Sequence, residues 1–157
     1  MRFPVGKYGN QTMEFFPAPY RAPLRAFAAL VFPWQHEKIL IADIYDRGWC
    51  IPSGRVEPGE ESQAAAIREA KEEAGAILGC TAYIGCYRMA SPVEVRWADV
   101  FVAEVKTLSE ITHTDESSGR KFCTLDELPG CYHLWNPLTE AVFNHSLTIL
   151  NRMRAMQ

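Results

Sequence analysis

The stretch GRVEPGEESQAAAIREAKEEAGA, residues 54–76, carries acidic and small apolar residues at helical spacing. At about 100° of rotation per residue, three of its carboxylates fall within an arc of about 100° on one helix face. They belong to Glu69, Glu72 and Glu73. Another face carries Ala66, Ile67, Ala70 and Ala74. The stretch therefore predicts a short amphipathic helix with one acidic face and one face that packs against a core.

Both ends of this helix carry residues that commonly start and stop helices. Ser62, or the residue before it, is the candidate N-cap, and acidic side chains nearby favour the positive end of the helix dipole. Gly75 suits the left-handed position after the last turn. Like charges three and four residues apart destabilise a helix by roughly 0.2–0.5 kcal/mol per pair. Arg68 can pair with Glu72, but a bound cation would offset far more of this repulsion.

The same residues resemble the Nudix box, G-x5-E-x7-R-E-U-x-E-E-x-G-U, in which U is aliphatic. Its fixed positions are matched by Gly54, Glu60, Arg68, Glu69, Glu72, Glu73 and Gly75. The two aliphatic positions hold Ala70 and Ala76, which are smaller than the residues usual there. Weaker resemblance extends to residues 49–53 and 122–129. The resemblance implies the fold of that family, an α/β/α sandwich with a central mixed sheet.

The resemblance also implies a reaction, the hydrolysis of a nucleoside diphosphate linked to another group. A pyrophosphate repels an incoming nucleophile, so Mg²⁺ or Mn²⁺ is expected to neutralise its charge and activate water. Metal ligation is implied for Glu69, Glu72 and Glu73, with Glu72 or Glu69 as the water-activating base. Arg68 is expected to orient these glutamates through ion pairs. The main-chain carbonyl of Ser53 matches a position that often binds metal, where most members have glycine.

One further carboxylate is expected from outside the helix. Glu116 lies in the polar segment 112–120, where relatives often carry a loop glutamate that completes the metal site or acts as base. Glu94 and Glu104 are weaker alternatives for this role. Glu60 is expected to tether its loop or to bind an outer metal ion.

The rest of the chain predicts strands around the central helix and a second helix at the end. Apolar runs indicate strands at residues 26–32, 38–42, 49–52, 82–89, 97–105 and 120–125, and a helix at 138–153. A turn through residues 34–37 is expected to join the first two strands. This order of elements favours an α/β fold, with helices on both sides of a mixed sheet.

Residues 1–25 are predicted to form an N-terminal arm, and residues 26–157 a single domain. Several prolines interrupt the arm, although a short strand near residues 13–16 is compatible with the pattern. Three alternatives stay open for the arm: it packs on its own domain, crosses to the partner of a homodimer, or is disordered.

Composition restricts the class of protein. A chain of 157 residues with 48% hydrophobic side chains can bury its own core. The net charge of −3 argues against generalised binding of nucleic acid. Five cysteines without a C-x-x-C pair indicate free thiols rather than zinc, and a cytoplasmic location. The sequence shows neither a signal peptide nor an apolar run that could span a membrane.

Two function classes follow from these residues. The first is a metal-dependent pyrophosphohydrolase of a nucleotide sugar, an ADP-ribose-like molecule, a dinucleoside polyphosphate or a nucleoside triphosphate. The second is a catalytically silent module that keeps the fold and senses a nucleotide. The complete set of glutamates favours the enzyme.

Aromatic and basic side chains outside the box offer few further candidates. Trp34, Tyr87, Arg88 and Trp97 could stack on a base or clamp phosphate, but packing roles are favoured. The four histidines are isolated in the sequence, so solvent-exposed or ordinary hydrogen-bonding roles are expected for His36, His113, His133 and His145.

Overall fold

The computed structural model describes residues 2–157. Its strands are β1 (Gly6–Tyr8), β2 (Gln11–Pro17), β3 (Ala28–Gln35), β4 (Lys38–Ile44), β5 (Gly48–Cys50), β6 (Ser53–Arg55), β7 (Ala76–Ala90), β8 (Val95–Leu108) and β9 (Ser117–Cys123). The helices are α1 (Ser62–Ala74) and α2 (Pro137–Ala155), and a single 3₁₀ turn spans Leu128–Gly130.

These strands form one mixed sheet. Its main path has the order β1-β2-β7-β8-β3-β4-β5, while β6 pairs with β3 and β9 pairs with β4. The central strands β3 and β8 run parallel, and the remaining pairs are antiparallel. The prediction of a mixed sheet is therefore confirmed.

The two helices cover opposite faces of the sheet. Because side chains alternate along a strand, Val31 of β3 packs on the α1 side and Phe32 on the α2 side. Helix α1 contributes small buried residues to its side: Ala65, Ala66, Ala70 and Ala74. Helix α2 contributes larger ones: Val142, Phe143 and Leu150. The α/β/α sandwich expected from the sequence is thus the observed architecture.

The division of α1 into an acidic face and a packing face differs from the prediction. Glu69 and Glu73 are only 8% and 3% exposed, whereas Ile67 is 43% exposed. At about 100° per residue, the arc of α1 that carries the buried alanines is centred near Ala66. Ile67 lies just outside one edge of this arc, and both glutamates lie inside its other edge. Placing Ile67 on the packing face was wrong.

The ends of α1 lie close to where the sequence predicts them. The N-cap is Glu61, the residue before Ser62, and its side chain makes no capping hydrogen bond. Gly75 ends the helix with φ of +63°, and its N–H donates to the carbonyl of Lys71 at 2.9 Å.

Several strand boundaries differ from the sequence-based prediction. Strand β3 continues through Gln35, so Trp34 is not in a turn; it is fully buried, and its indole N–H donates to Ser146 Oγ at 3.0 Å. Strands β7 and β8 extend beyond the predicted segments 82–89 and 97–105 at both ends. Strand β9 begins at Ser117, within the segment predicted as a loop.

The N-terminal residues join the same sheet. Strand β2 pairs antiparallel with β7, with Phe15 opposite Tyr87, and β1 pairs with β2. Residues 6–17 therefore form one edge of the sheet. Within residues 2–157, neither helix combines the length and the apolar character needed to cross a bilayer.

Candidate active site

Arg68 on α1 connects the acidic side chains of the box. Its Nε donates to Glu60 Oε2 at 2.9 Å, and its Nη1 donates to Glu69 Oε1 at 2.9 Å and to Glu72 Oε2 at 3.1 Å. Its Nη2 also donates to the carbonyl of Arg55 at 3.0 Å. These contacts link α1 to β6 and to the loop between them. The hydrogen bonds from Arg68 lower the pKa of Glu60 to about 2.

The backbone of β6 passes directly over the two buried carboxylates of α1. The N–H of Ser53 donates to Glu73 Oε1 at 3.0 Å. A Cβ atom at Gly54 would overlap the carboxylate of Glu69. Gly54 thus allows the backbone to approach this side chain closely, and a larger residue would displace the Glu69 carboxylate from its present position.

Burial sets the electrostatics of this pair. Loss of water raises the pKa of Glu73 to about 7, and the charges of Glu69 and Glu116 add to the effect. Burial also raises the pKa of Glu69, although Arg68 opposes that shift. Two adjacent carboxylates with raised pKa values form a site that favours added positive charge.

The carboxylates do not yet converge on one point. Among residues 2–157, no three histidine, cysteine, aspartate or glutamate side chains are arranged to hold a metal ion. The reason is visible in the contacts of Arg68, since it draws the carboxylates of Glu69 and Glu72 toward its guanidinium. Both side chains would have to rotate to share a cation with Glu73.

Glu116 lies near this cluster, in the turn just before β9. It lines a cavity of about 380 Å³ together with Glu73 and Asp115. Its main-chain carbonyl accepts a hydrogen bond from the N–H of Tyr45 at 3.0 Å. The two alternatives lie elsewhere: Glu94 pairs with Arg96, and Glu104 pairs with Arg154 of α2.

One histidine lies beside the acidic cluster. The Nδ1 atom of His113 lies 3.5 Å from Glu72 Oε2, and its backbone N–H donates to the carbonyl of Glu72 at 3.3 Å. His113 and Glu72 are 41 positions apart in the sequence, so spacing gave no signal of the contact.

A larger cavity of about 430 Å³ adjoins the acidic cluster on the α2 face of the sheet. Ser53 and Gly54 form part of its wall. Its aromatic lining includes Tyr8, Phe27, Tyr87 and Tyr132, and its basic lining Arg47, Arg55 and Arg96. Such a cavity can enclose a flat apolar group and hold anionic groups at its rim.

Of the four aromatic and basic candidates from the sequence, one lines this cavity. Tyr87 does so. Trp34 is buried against α2, Trp97 packs near Phe16, and Arg88 pairs with Glu14 at 3.3 Å.

A family model for the NUDIX domain matches residues 22–143. The chain belongs to the Nudix family. The matched residues include strands β3 to β9, helix α1 and the loops that form both cavities. Strands β1 and β2 lie outside the match.

Individual relatives of this Nudix chain support the same assignment. A Bacillus subtilis protein described provisionally as the 8-oxo-dGTP diphosphatase YtkD is 34% identical over 82 residues, 52% of each chain. Diphosphoinositol polyphosphate phosphohydrolase 3-alpha of Mus musculus is 31% identical over 115 residues, 71% of this chain and 68% of that protein. The chain spans about half the length of the two Bacillus relatives that it matches.

A solved structure agrees with the fold over nearly the whole Nudix chain. A variant of the Bacillus subtilis pyrophosphohydrolase BsRppH superposes with a TM-score of 0.77 and 24% identity, covering 96% of this chain and 98% of that one. At this identity the likeness concerns the fold alone.

Proposed function

We propose that this chain is a metal-dependent pyrophosphohydrolase that cleaves the diphosphate linkage of a nucleotide derivative. The observation that carries the proposal is the pair of buried carboxylates, Glu69 and Glu73, enclosed under Gly54 beside an aromatic cavity. Burying two like charges side by side is unfavourable unless a cation compensates them. Such a cost is typical of functional sites.

The residues fit Mg²⁺ or Mn²⁺ chemically. Carboxylate oxygens are the ligands that these hard cations prefer, and Gly54 lets the Glu69 carboxylate lie directly under the backbone of β6. The proposed ligands are Glu69, Glu72, Glu73, the main-chain carbonyl of Ser53, and Glu116. When bound, the metal would neutralise phosphate charge and lower the pKa of water.

The protein's own residues would hold this arrangement and move the proton. Arg68 ties Glu60 to α1 and keeps the loop 56–61 in place, so that β6 stays above the glutamates. Glu72, or Glu69, would accept the proton of the attacking water. Glu72 is the more exposed of the two, and His113 lies beside it.

The lining of the larger cavity favours a nucleotide over an inositol polyphosphate. Most of its wall is apolar or aromatic, which suits stacking on a planar base. An inositol polyphosphate carries phosphates around its ring and would require cations on all sides, whereas here three arginines line the cavity. We therefore propose a nucleoside triphosphate or a nucleoside diphosphate derivative as substrate, with 8-oxo-dGTP first among those to test.

The decisive experiment is a substrate panel with Mg²⁺ and with Mn²⁺, read by product identity. The panel contains 8-oxo-dGTP, unmodified nucleoside triphosphates, ADP-ribose, a nucleotide sugar, a dinucleoside polyphosphate and a diphosphoinositol polyphosphate. Cleavage of a nucleotide by wild type but not by Glu69→Gln supports the proposal. Tight nucleotide binding without turnover would instead establish the sensing module, and cleavage of the inositol compound alone would refute the substrate class.

A further inference from the structure

Arg47 occupies the boundary between the two cavities. It lies in the turn between β4 and β5, where its N–H donates to the carbonyl of Ile44 at 2.9 Å. Its side chain lines both the aromatic cavity of about 430 Å³ and the acidic cavity of about 380 Å³. In the acidic cavity it is the only cation among the described lining residues, which include the carboxylates of Asp46, Glu73, Asp115 and Glu116.

The guanidinium of Arg47 makes hydrogen bonds through one of its three nitrogens. Its Nη1 donates to Ser53 Oγ at 3.0 Å and to the sulfur of Cys50 at 3.6 Å. The acceptor is the side-chain hydroxyl of Ser53, so neither glycine nor alanine at this position could accept this hydrogen bond. Within residues 2–157, Nε and Nη2 of Arg47 have no hydrogen-bond partner in the structure. A planar guanidinium with donors free on one edge is suited to two parallel hydrogen bonds with a phosphate.

We propose that Arg47 binds the substrate phosphate nearest to the aromatic cavity, and that the hydroxyl of Ser53 positions Arg47 for this contact. The inference rests on the proposed function. In the proposed complex the base of the nucleotide fills the aromatic cavity, and the scissile bond lies at Glu69 and Glu73. The diphosphate between them must then lie beside Arg47. Cations at the glutamates would neutralise one end of the diphosphate, and Arg47 would neutralise the other.

Calorimetric binding of Mg²⁺-imidodiphosphate, a diphosphate that resists hydrolysis, tests the contact without turnover. Arg47→Ala should weaken binding by roughly 10- to 100-fold, because one charge-assisted pair of hydrogen bonds is lost. Arg47→Lys should recover part of that loss through its charge. Arg88→Ala is the matched control, since it removes one positive charge from the pair with Glu14, and it should change binding by less than about two-fold.

The hydroxyl of Ser53 is tested by a second set of variants. Ser53→Ala and Ser53→Gly keep the main-chain carbonyl, and each should raise KM more than it lowers kcat on a substrate identified by the panel. The Ser53→Ala change should have little further effect on imidodiphosphate binding in an Arg47→Ala background, as expected for two residues that act as a unit.

The outcomes separate this inference from the proposed function. Wild-type affinity in Arg47→Ala, or an equal loss in Arg88→Ala, would overturn the role of Arg47 even if the chain hydrolyses nucleotides. Binding that depends on Arg47 without turnover of any substrate would uphold the contact and refute the enzyme. Failure of the wild type to bind imidodiphosphate at millimolar concentration would count against both.

Discussion

At the residue scale, Glu69→Gln and Glu73→Gln each remove one buried negative charge and keep the shape of the side chain. Each is expected to lower kcat by roughly 10²–10⁴-fold, since a proposed ligand or base is lost. Folding should be preserved, because burial disfavours the charge that is removed. Steady-state kinetics and far-UV circular dichroism check both points. Turnover near that of wild type in both variants would refute the assignment.

Glu116 gives a second prediction at this scale. Glu116 lines the acidic cavity together with Glu73, and this position suits a carboxylate that acts during turnover. Glu116→Gln should therefore reduce kcat more than it raises KM. Glu94→Gln is the control, because Glu94 pairs with Arg96 and does not line the acidic cavity, and it should be nearly neutral. The reverse result would mean that the carboxylate contributed from outside α1 belongs to Glu94, in the loop between β7 and β8, and not to Glu116.

The sequence predicted the acidic cluster better than its surroundings. Glu69, Glu72 and Glu73 share one helix, so their proximity follows from spacing alone. Arg47, His113 and Tyr132 come from separate loops that only tertiary structure brings to the site. No local pattern distinguishes such residues from ordinary polar or aromatic positions in a single sequence.

At the scale of secondary-structure elements, the end of α1 allows a test of stability. Gly75 has φ of +63°, and a Cβ atom there would overlap the carbonyl oxygen of Ser109 and the guanidinium of Arg120. Gly75→Ala should lower the free energy of unfolding by more than about 2 kcal/mol, because a left-handed residue with a Cβ already costs about 1–2 kcal/mol. Urea denaturation measures this change.

The control for that variant is Gly59→Ala. Gly59 also has a positive φ, of +78°, but a Cβ atom there would meet nothing within 4 Å. Its cost should stay near the conformational 1–2 kcal/mol, on the order expected for an isolated left-handed residue. Equal losses in the two variants would show that the contact at Ser109 is unimportant.

Elements with a regular pattern were predicted well, and irregular ones poorly. Helix α1 has alanines at regular spacing, and its boundaries came out correctly. Strand β7 has register shifts near Leu78 and Gly85 where it pairs with β8, and these interrupt the alternation that reveals a strand. The short strand that the sequence allowed near residues 13–16 is observed as β2, but the chain around it is rich in proline, so its bounds depend on pairing with β7 rather than on local preference.

For the whole molecule, metal binding should be visible in thermal stability. If Mg²⁺ binds the folded state only, saturation at 100 times the Kd contributes about 2.7 kcal/mol. For a domain of this size that corresponds to a rise in Tm of roughly 5–10 °C. Glu69→Gln/Glu73→Gln should lose the response, whereas Glu94→Gln should keep it. A wild-type melting curve that millimolar Mg²⁺ leaves unchanged would contradict metal binding at these glutamates. Scanning calorimetry with and without a chelator makes the measurement.

For the whole molecule, protonation of His145 in α2 should make a destabilising contribution as the pH falls. Its ring lies against Phe3 and Phe15, at centroid distances of 5.3 and 5.9 Å. Burial, with a smaller effect from Arg152, lowers its pKa below the 6.5 expected for the unfolded chain. Below about pH 6.5 His145 therefore binds more protons in the unfolded state, and its contribution lowers the free energy of unfolding as the pH falls. The carboxyl of Glu73, whose pKa burial raises to about 7, contributes in the opposite direction, so the effect of His145 is measured as a difference between variants.

The variant His145→Phe cannot titrate and should lose this part of the acid dependence. Urea denaturation at pH 7.5 and pH 5.5 compares the two proteins. His36→Asn, which removes an exposed imidazole from the turn between β3 and β4, is the matched control. Identical pH slopes in wild type and His145→Phe would contradict a buried neutral imidazole.

The parallel pairing of β3 with β8 delays formation of the sheet during synthesis of the chain. Ala28 lies opposite Ala98, 70 positions later in the chain. At a synthesis rate of roughly 5–20 residues per second, β3 is made about 4–14 s before its central partner. Its apolar sequence AALVFPWQ can meanwhile pair only with β4 and β6. During synthesis the nascent chain therefore carries a hydrophobic strand for seconds before the central pair of the sheet can form.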